Sequence, residues 1–345
     1  MTTLSRCIRT VPLLTALLAL FGMQATAETI DELYAKAKHE KTLVFYGAGP
    51  TGAQDRWINE FQQRFPGVKV NLIGGLSPAL TKRVDEQLAR KAVEVDLASL
   101  QTIQDFARWK QAGAMLLFKP DGFDEIDPAY KDEDGAFTPV SINLVTYAYN
   151  TRRLAMADIP KSALDFLKPI FKGELVTTDP TTDDAALAVF NMIVGKYGWD
   201  YMDRYMANQP TFVTTGHQTV SRMIADGEKL ATFDSTSSTP VMKAQGKPIE
   251  PLISQQDDTP VFLVGAGIFK DAPHPNAAKL YLTWYMATGQ QSRTGTFSPR
   301  SDVPPPAGME RLSTYKIDSG YRKLVSDAAR LLDLRRHFAT YVHKR

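Results

Sequence analysis

Cysteine is nearly missing from this chain. Its 345 residues contain one, Cys7. That residue precedes a short apolar run and sits inside a segment read below as a removable leader. Beyond the leader there is no thiol, which excludes disulfides, cysteine nucleophiles, iron–sulfur clusters and thiolate zinc sites. Excess charge of one sign is lacking too. Forty basic residues stand against 38 acidic ones, a net of +2, so a strongly basic nucleic-acid binder is excluded. No apolar stretch reaches the roughly 20 residues that span a bilayer. Catalytic signatures are absent as well: no G-x-S-x-G, no H-E-x-x-H and no P-loop lysine motif. The histidines are His39, His217, His274, His337 and His343; none pairs with another at metal-ligand spacing, and only His337 and His343 lie close together, in the tail. No cofactor and no metal is expected.

The N-terminal run itself has three parts. Arg6 and Arg9 precede apolar residues 11–23, and Ala25-Thr26-Ala27 follows. A basic start, a short apolar middle and a small-x-small end make an export signal, cleaved after Ala27. Its removal leaves equal numbers of basic and acidic residues. The expected location is the periplasm, and the expected state a soluble monomer.

The rest of the chain alternates. Residues 43–46 form an apolar run ending in glycine-rich 47–52. A helix follows, with Trp57, Phe61 and Phe65 four apart, closed by Pro66-Gly67. Strands are expected at 68–73, 93–100, 143–149, 174–177, 231–233 and 261–267. Helices are expected around Leu80, Val84 and Leu88, at 103–112, 160–167, 184–197, 199–206, 220–226 and 276–287, and through a tail at 321–341. Repeated strand–loop–helix units predict an α/β architecture with a mainly parallel sheet. The length suggests two domains, and no low-complexity linker separates them.

Gly47, Gly49 and Gly52 have dinucleotide-type spacing between a strand and a helix. The acidic ribose partner about 20 residues further on is missing, so the glycines read as a tight turn exposing a helix start. More informative are hydroxyl-rich loops ahead of helices: Thr51, Ser77, Ser99 to Thr102, residues 177–182, residues 214–219 around His217, and residues 235–239. One such hydroxyl caps a helix; six loops together describe a cleft for a small anion. Thr51 and Ser77 from one side, with Thr181, Thr182, Thr215 and Ser235 from the other, form the candidate cage, joined by Ser99 and His217. Arg83, Arg222 and Arg300 are available as a guanidinium fork. An enzyme using His217 as base, or a purely structural protein, are the competing classes.

Three stretches resemble a known family: TLVFYGAGPTGAQDRWINEFQQRF (42–65), VTYAYNTRRL (145–154) and TPVFLVGAGIFKDAPHPNAAKLYLTWYMATGQQ (259–291), followed by SPRSDVPPPAG (298–308). They are similar to the periplasmic solute-binding proteins of bacterial ABC importers, in the group related to ferric-iron, phosphonate and sugar-phosphate binders. The resemblance implies a type II binding-protein fold: two α/β lobes, two crossovers near 139–146 and 259–265, and a ligand cleft between. Residues 28–142 and 262–345 would form lobe one, 143–261 lobe two, and residues 1–27 the signal. It also implies capture of a small anionic solute, such as an organic acid, phosphonate or phosphorylated compound, for delivery to an inner-membrane permease, without catalysis. The iron-binding subset is the alternative. Its late tyrosine pair is absent here, where residues 234–239 read DSTSST, while Tyr147, Tyr149, Tyr197, Tyr201 and Tyr205 suit packing as well as ligation.

Overall fold

The computed structural model describes residues 28–49, 51–318 and 320–343; the export signal and its cleavage point lie outside the described residues. In chain order the elements are α1 (Ile30–Glu40), β1 (Thr42–Ala48), α2 (Asp55–Arg64), β2 (Lys69–Gly75), α3 (Ser77–Ala89), β3 (Leu97–Leu100), α4 (Ile103–Gln111), β4 (Met115–Leu116), β5 (Thr138–Leu144), β6 (Thr146–Asn150), β7 (Val176–Thr178), α5 (Asp184–Tyr197), α6 (Asp200–Ala207) and β8 (Thr211–Val213). Then come α7 (His217–Ala225), β9 (Ala231–Ser235), α8 (Ser238–Ala244), β10 (Ile249–Leu252), β11 (Thr259–Phe269), α9 (Pro275–Met286), α10 (Thr288–Gln291), β12 (Ile317–Asp318), α11 (Tyr321–Val325) and α12 (Ala328–Val342).

The larger sheet runs β12-β11-β3-β1-β2, with β4 and β5 also paired to β11. Strand alternation builds its two cores. Leu43 and Phe45 of β1 face α1, α2 and α9, among Phe61, Phe65 and Trp284. Tyr46, one residue on, faces α3 and α4, among Val84, Phe106 and Trp109. A second sheet, β10-β6-β9, and the pair β7-β8 carry the other half, packed around Phe166, Phe190, Tyr205 and Phe233. The chain leaves the first sheet at Leu144 and enters the second at Thr146, so Val145 alone separates them. The C-terminal α12 follows the second crossover in sequence yet packs on α5 and α6, where Phe338 meets Phe190 and Trp199.

The sheets are less parallel than the periodicity predicts. β1 pairs parallel with β2 and β3, but β11 runs antiparallel to β3, β4 and β5, and the second sheet is antiparallel throughout. Hydrophobic runs report burial on both faces, which any central strand shares; they carry no direction. The expected strand at 93–100 begins only at Leu97. Asp96 stops it: its buried carboxylate accepts from the Val44 amide (2.7 Å) and the His274 amide (2.7 Å) and lies 2.9 Å from His274 Nδ1. The expected helix at 160–167 is instead two short turns, Ala163–Leu167 and Pro169–Phe171, divided where Pro169 restricts Lys168 to an extended conformation. The tail breaks at Ser326, and Asp327 caps the second helix by accepting from the Arg330 amide.

Glycine at 47 has a steric cause. A Cβ there would stand 2.5 Å from Gln54 Nε2, and Gly49 has φ of 99°. These glycines let the turn after β1 fold Gln54 back against the strand end.

Candidate functional site

Two polar clusters lie where the first-sheet and second-sheet halves meet. The first lines a cavity of about 210 Å³. Its hydroxyl and amide groups come from Ser99 on β3, Ser141 and Asn143 on β5, Thr294 and Thr296 in the loop after α10, and Ser237 just before α8. Gln54, Trp57, Tyr281 and Tyr285 also line it, and apolar residues including Phe45, Leu97 and Val264 make up the rest of the wall. Asn143 Nδ2 donates to Ser141 Oγ at 2.9 Å, fixing both on one face of β5. The Tyr281 hydroxyl is buried without a hydrogen-bond partner. An orphan hydroxyl costs about 1–3 kcal/mol of desolvation, which a bound polar group would offset. Among the described residues, no lysine, arginine or histidine lines this cavity.

The second cluster is ionic. His217 opens α7, with Nδ1 2.9 Å from Asp234 Oδ1 and Nε2 3.4 Å from Asp183 Oδ1. Its ring stacks on Phe262 at 6.1 Å. Asp234 also accepts from the Thr178 amide (2.7 Å) and the Thr177 hydroxyl (3.2 Å). Asp183 caps α5 by accepting from the amides of Ala185 and Ala186, both at 2.9 Å. From the first-sheet half, Gln101 Nε2 donates to Asp183 Oδ2 at 2.8 Å, and Gln104 reaches Asp184 at 3.3 Å. Arg335 of α12 pairs with Asp184, and Tyr321 donates to the Gln101 carbonyl. Burial alone would lower the imidazole's pKa, yet the carboxylates of Asp234 and Asp183 raise it well above its ordinary value. Burial would raise Asp183, but the His217 charge and the amide donors bring it down to about 2.

The expected cage does not converge on the 210 Å³ cavity. Ser99 lines it. The side chain of Thr51 lies outside what is described. Ser77 is buried and accepts from the Gln101 amide at 3.0 Å, so it positions Gln101. Thr181 donates to Asp179 Oδ1 and Thr182 to the Asp179 carbonyl, closing their own loop. Thr215 is exposed and donates to Thr219 at 2.8 Å. Ser235 is buried in a hydroxyl chain through Thr239 (2.5 Å) to Ser221 (2.8 Å). His217 belongs to the ionic cluster. Each loop hydroxyl had a local amide, carboxylate or hydroxyl nearer than any shared centre.

The three arginines are engaged elsewhere. Arg83 lies over the Tyr46 ring at 5.2 Å, Arg222 pairs with Asp226 and Glu228, and the buried Arg300 holds Asp302 and the Met286 carbonyl. Among the tyrosines, Tyr147 and Tyr197 both donate to Asp257, Tyr201 donates to the Ala163 carbonyl, and Tyr205 is buried in aromatic packing. The wall residues missed by the loop argument left one signal: Ser141 and Asn143 are polar at alternate positions of an otherwise apolar strand, so they share a face.

Comparison with known proteins fits this arrangement. A family profile described as bacterial extracellular solute-binding protein matches residues 56–321. A probable ABC transporter periplasmic-binding protein, y4fP, from Sinorhizobium fredii is 22% identical over 68% of this chain and 66% of its own length. An Fe(3+)-binding periplasmic protein of Serratia marcescens is 23% identical over 44% of each chain. The chain thus spans less than two thirds of the length of these curated relatives. Among solved structures, AfuA from Actinobacillus pleuropneumoniae with fructose-6-phosphate superposes with a TM-score of 0.74 at 19% identity, covering 88% of this chain and 99% of that one. Iron-bound HitA from Pseudomonas aeruginosa gives 0.68 at 18% identity, covering 86% and 99%. The fold is the type II periplasmic-binding-protein fold. Among the described residues no helix is long and apolar enough to cross a membrane. With its profile match extending over most of the described chain, the protein belongs to the bacterial extracellular solute-binding protein family.

Proposed function

We propose that the protein is a periplasmic receptor that captures a small polar solute between two lobes and delivers it to an inner-membrane ABC permease, without chemistry and as a monomer. The lobes expected at 28–142 with 262–345 and at 143–261 are placed here with their boundary moved to Val145, because Asn143 and Leu144 still pair with β11, and with α12 laid onto α5 and α6 of the second lobe. The observation that carries it is the cavity at the sheet boundary, where Ser99, Ser141 and Asn143 on one side meet Ser237 on the other, with the unpartnered Tyr281 hydroxyl in the wall. The likeness to y4fP supports the importer partner. His217 is a poor general base here, because both its nitrogens already face carboxylates.

The expectation of an anionic solute becomes narrower. A negative charge in this cavity meets hydroxyl and amide donors, with no cationic side chain to share it. Desolvating a doubly charged phosphate ester without a counter-charge is costly. The geometry favours a solute whose polar end carries one negative charge or none. Ferric iron has less support, since Tyr147 and Tyr197 are bound to Asp257.

Native mass spectrometry of the freshly purified protein, followed by a thermal-shift screen of sugars, monocarboxylates, phosphate esters and ferric iron, tests the reading. The expected result is a bound small molecule and a stabilising hit that Ser99→Ala weakens. No retained mass and no response to any compound would sink it, and tight coloured ferric binding would replace it.

A further inference from the structure

Beside the 210 Å³ cavity lies a second, larger chamber of about 720 Å³. The two share Asn143, Ser237 and Thr296, which form a polar neck between them. Past the neck the chemistry changes. The chamber walls include Val241 of α8, Leu252 and Ile253 at the end of β10, Phe297, Met309 and Tyr315. Val241 is left 48% exposed, a large apolar side chain facing water at the chamber wall. Among the described residues, the charged ones in this wall are Lys243 and Glu250, which pair with each other at 2.6 Å. No free charge is therefore offered to a polar occupant.

We infer that the solute is amphipathic: its polar end is held in the cavity by the hydroxyl and amide groups, and an apolar chain passes the neck into the chamber. Volume supports this. The cavity alone falls short of the ~300–1,000 Å³ typical of small-molecule sites, while cavity and chamber together fill that range. Continuity supports it as well, since the three neck residues belong to both compartments and come from three separate segments of the chain. A wholly polar solute would leave the chamber's apolar wall wet; an apolar chain removes that surface from water. The inference rests on the reading of the cavity as the solute site and adds the class of molecule that fits it.

The test uses the full exported chain with two probe series, n-alkyl β-glucosides and n-alkyl monocarboxylates, each from methyl to octyl and kept below micelle-forming concentrations. Titration calorimetry gives the affinities. In the series whose head group fits, affinity should rise about fourfold per added methylene until the chamber is full. Leu252→Asp and Val241→Asp should flatten that increment, while Ser99→Ala should weaken every member equally and leave the increment intact. Melting temperatures of the variants separate misfolding from lost contact, and Leu252→Ala, with a smaller flattening, stands in if an aspartate variant does not fold. Affinity independent of chain length overturns the inference. So does a chainless solute found by native mass spectrometry, which leaves solute capture standing. A protein that retains no solute and binds no probe overturns both readings. Chamber variants that impair only permease-dependent uptake would make the chamber a docking face and overturn the inference.

Discussion

The two polar clusters at the boundary are built from similar material and behave in opposite ways. Around His217 the charges are answered within the protein: imidazole by Asp234 and Asp183, Asp183 by Gln101 and the α5 amides, Asp234 by Thr177 and Thr178, although His217 Nε2 and Asp234 Oδ1 each meet their partner as charges and not in hydrogen-bond geometry. Around Ser99 the groups are neutral, and the Tyr281 hydroxyl has neither a hydrogen bond nor an opposite charge beside it. The ion pairs therefore lie within the second-sheet half and reach the first only through Gln101 and Gln104, while in the proposed reading recognition is left to neutral groups. A buried charge that needs its neighbours cannot also be released to a passing solute. If the cavity holds the solute as proposed, the perturbed histidine does not mark the ligand site.

The largest expected effect breaks the ionic cluster. His217→Leu leaves Asp183 and Asp234 buried without their counter-charge, and urea unfolding should show a loss of about 3–5 kcal/mol. The same cluster predicts a pH profile. The imidazole's folded pKa is raised above its ordinary value of about 6.5, so its contribution is complete below that value and fades as pH rises through the folded pKa. Asp183 is depressed to about 2, so its contribution is complete above its ordinary value and fades as pH falls toward 2. Thermal melts should give a plateau through neutrality with a fall at both ends, and His217→Leu should remove the alkaline fall attributable to this group. A milder change, Asp183→Asn, keeps the cap on α5 but removes one carboxylate. Titration of the imidazole by NMR should then show a lower pKa than in the parent protein, with a stability loss of about 1–3 kcal/mol.

Changes in the neutral cluster should be smaller and of another kind. Ser99→Ala should leave the melting temperature of the free protein nearly unchanged and weaken solute binding by about 1 kcal/mol, read by calorimetry. Tyr281→Phe removes a buried hydroxyl that has nothing to lose, so the free protein should be unchanged or more stable by about 1 kcal/mol. Smallest of all is Thr215→Ala: an exposed hydroxyl bonded only to Thr219 should contribute less than about 0.5 kcal/mol to stability and nothing to binding. A large binding loss at Thr215 would restore the loop cage and end the comparison drawn here.

Periodicity made much of the architecture legible. Trp57 and Phe61 lie on α2 and Phe65 caps its end, with both phenylalanines fully buried, and the apolar run at 184–197 is a single helix whose Phe190 and Ile193 reach the core. The short antiparallel elements were not legible. β10 carries Glu250 and Pro251 and has no apolar alternation, and β8 is three residues long. At 143–149 an unbroken apolar reading merged β5 and β6, because the passage at Val145 is a change of partner and not of composition. For the candidate site, loops marked in the sequence reach the boundary between the halves, but most of their marked hydroxyls turn to local partners. Residues 235–239 were marked, but Ser235 turns into the protein while Ser237 reaches the cavity. Loop hydroxyl orientation depends on the nearest competing acceptor, which only the tertiary arrangement supplies.

Trp57 lines the cavity with its ring against Tyr285 at 5.4 Å and Trp284 at 6.2 Å, beneath the guanidinium of Arg293 at 5.6 Å. An indole in that position reports on whatever displaces water from the cavity. Occupancy should therefore be visible as a change in intrinsic emission, without a label. Since residues 28–345 contain no cysteine, one thiol introduced at Val241 could carry a second dye over the chamber. The molecule could then be read as a two-channel optical sensor, one colour for the head of the solute and one for its chain.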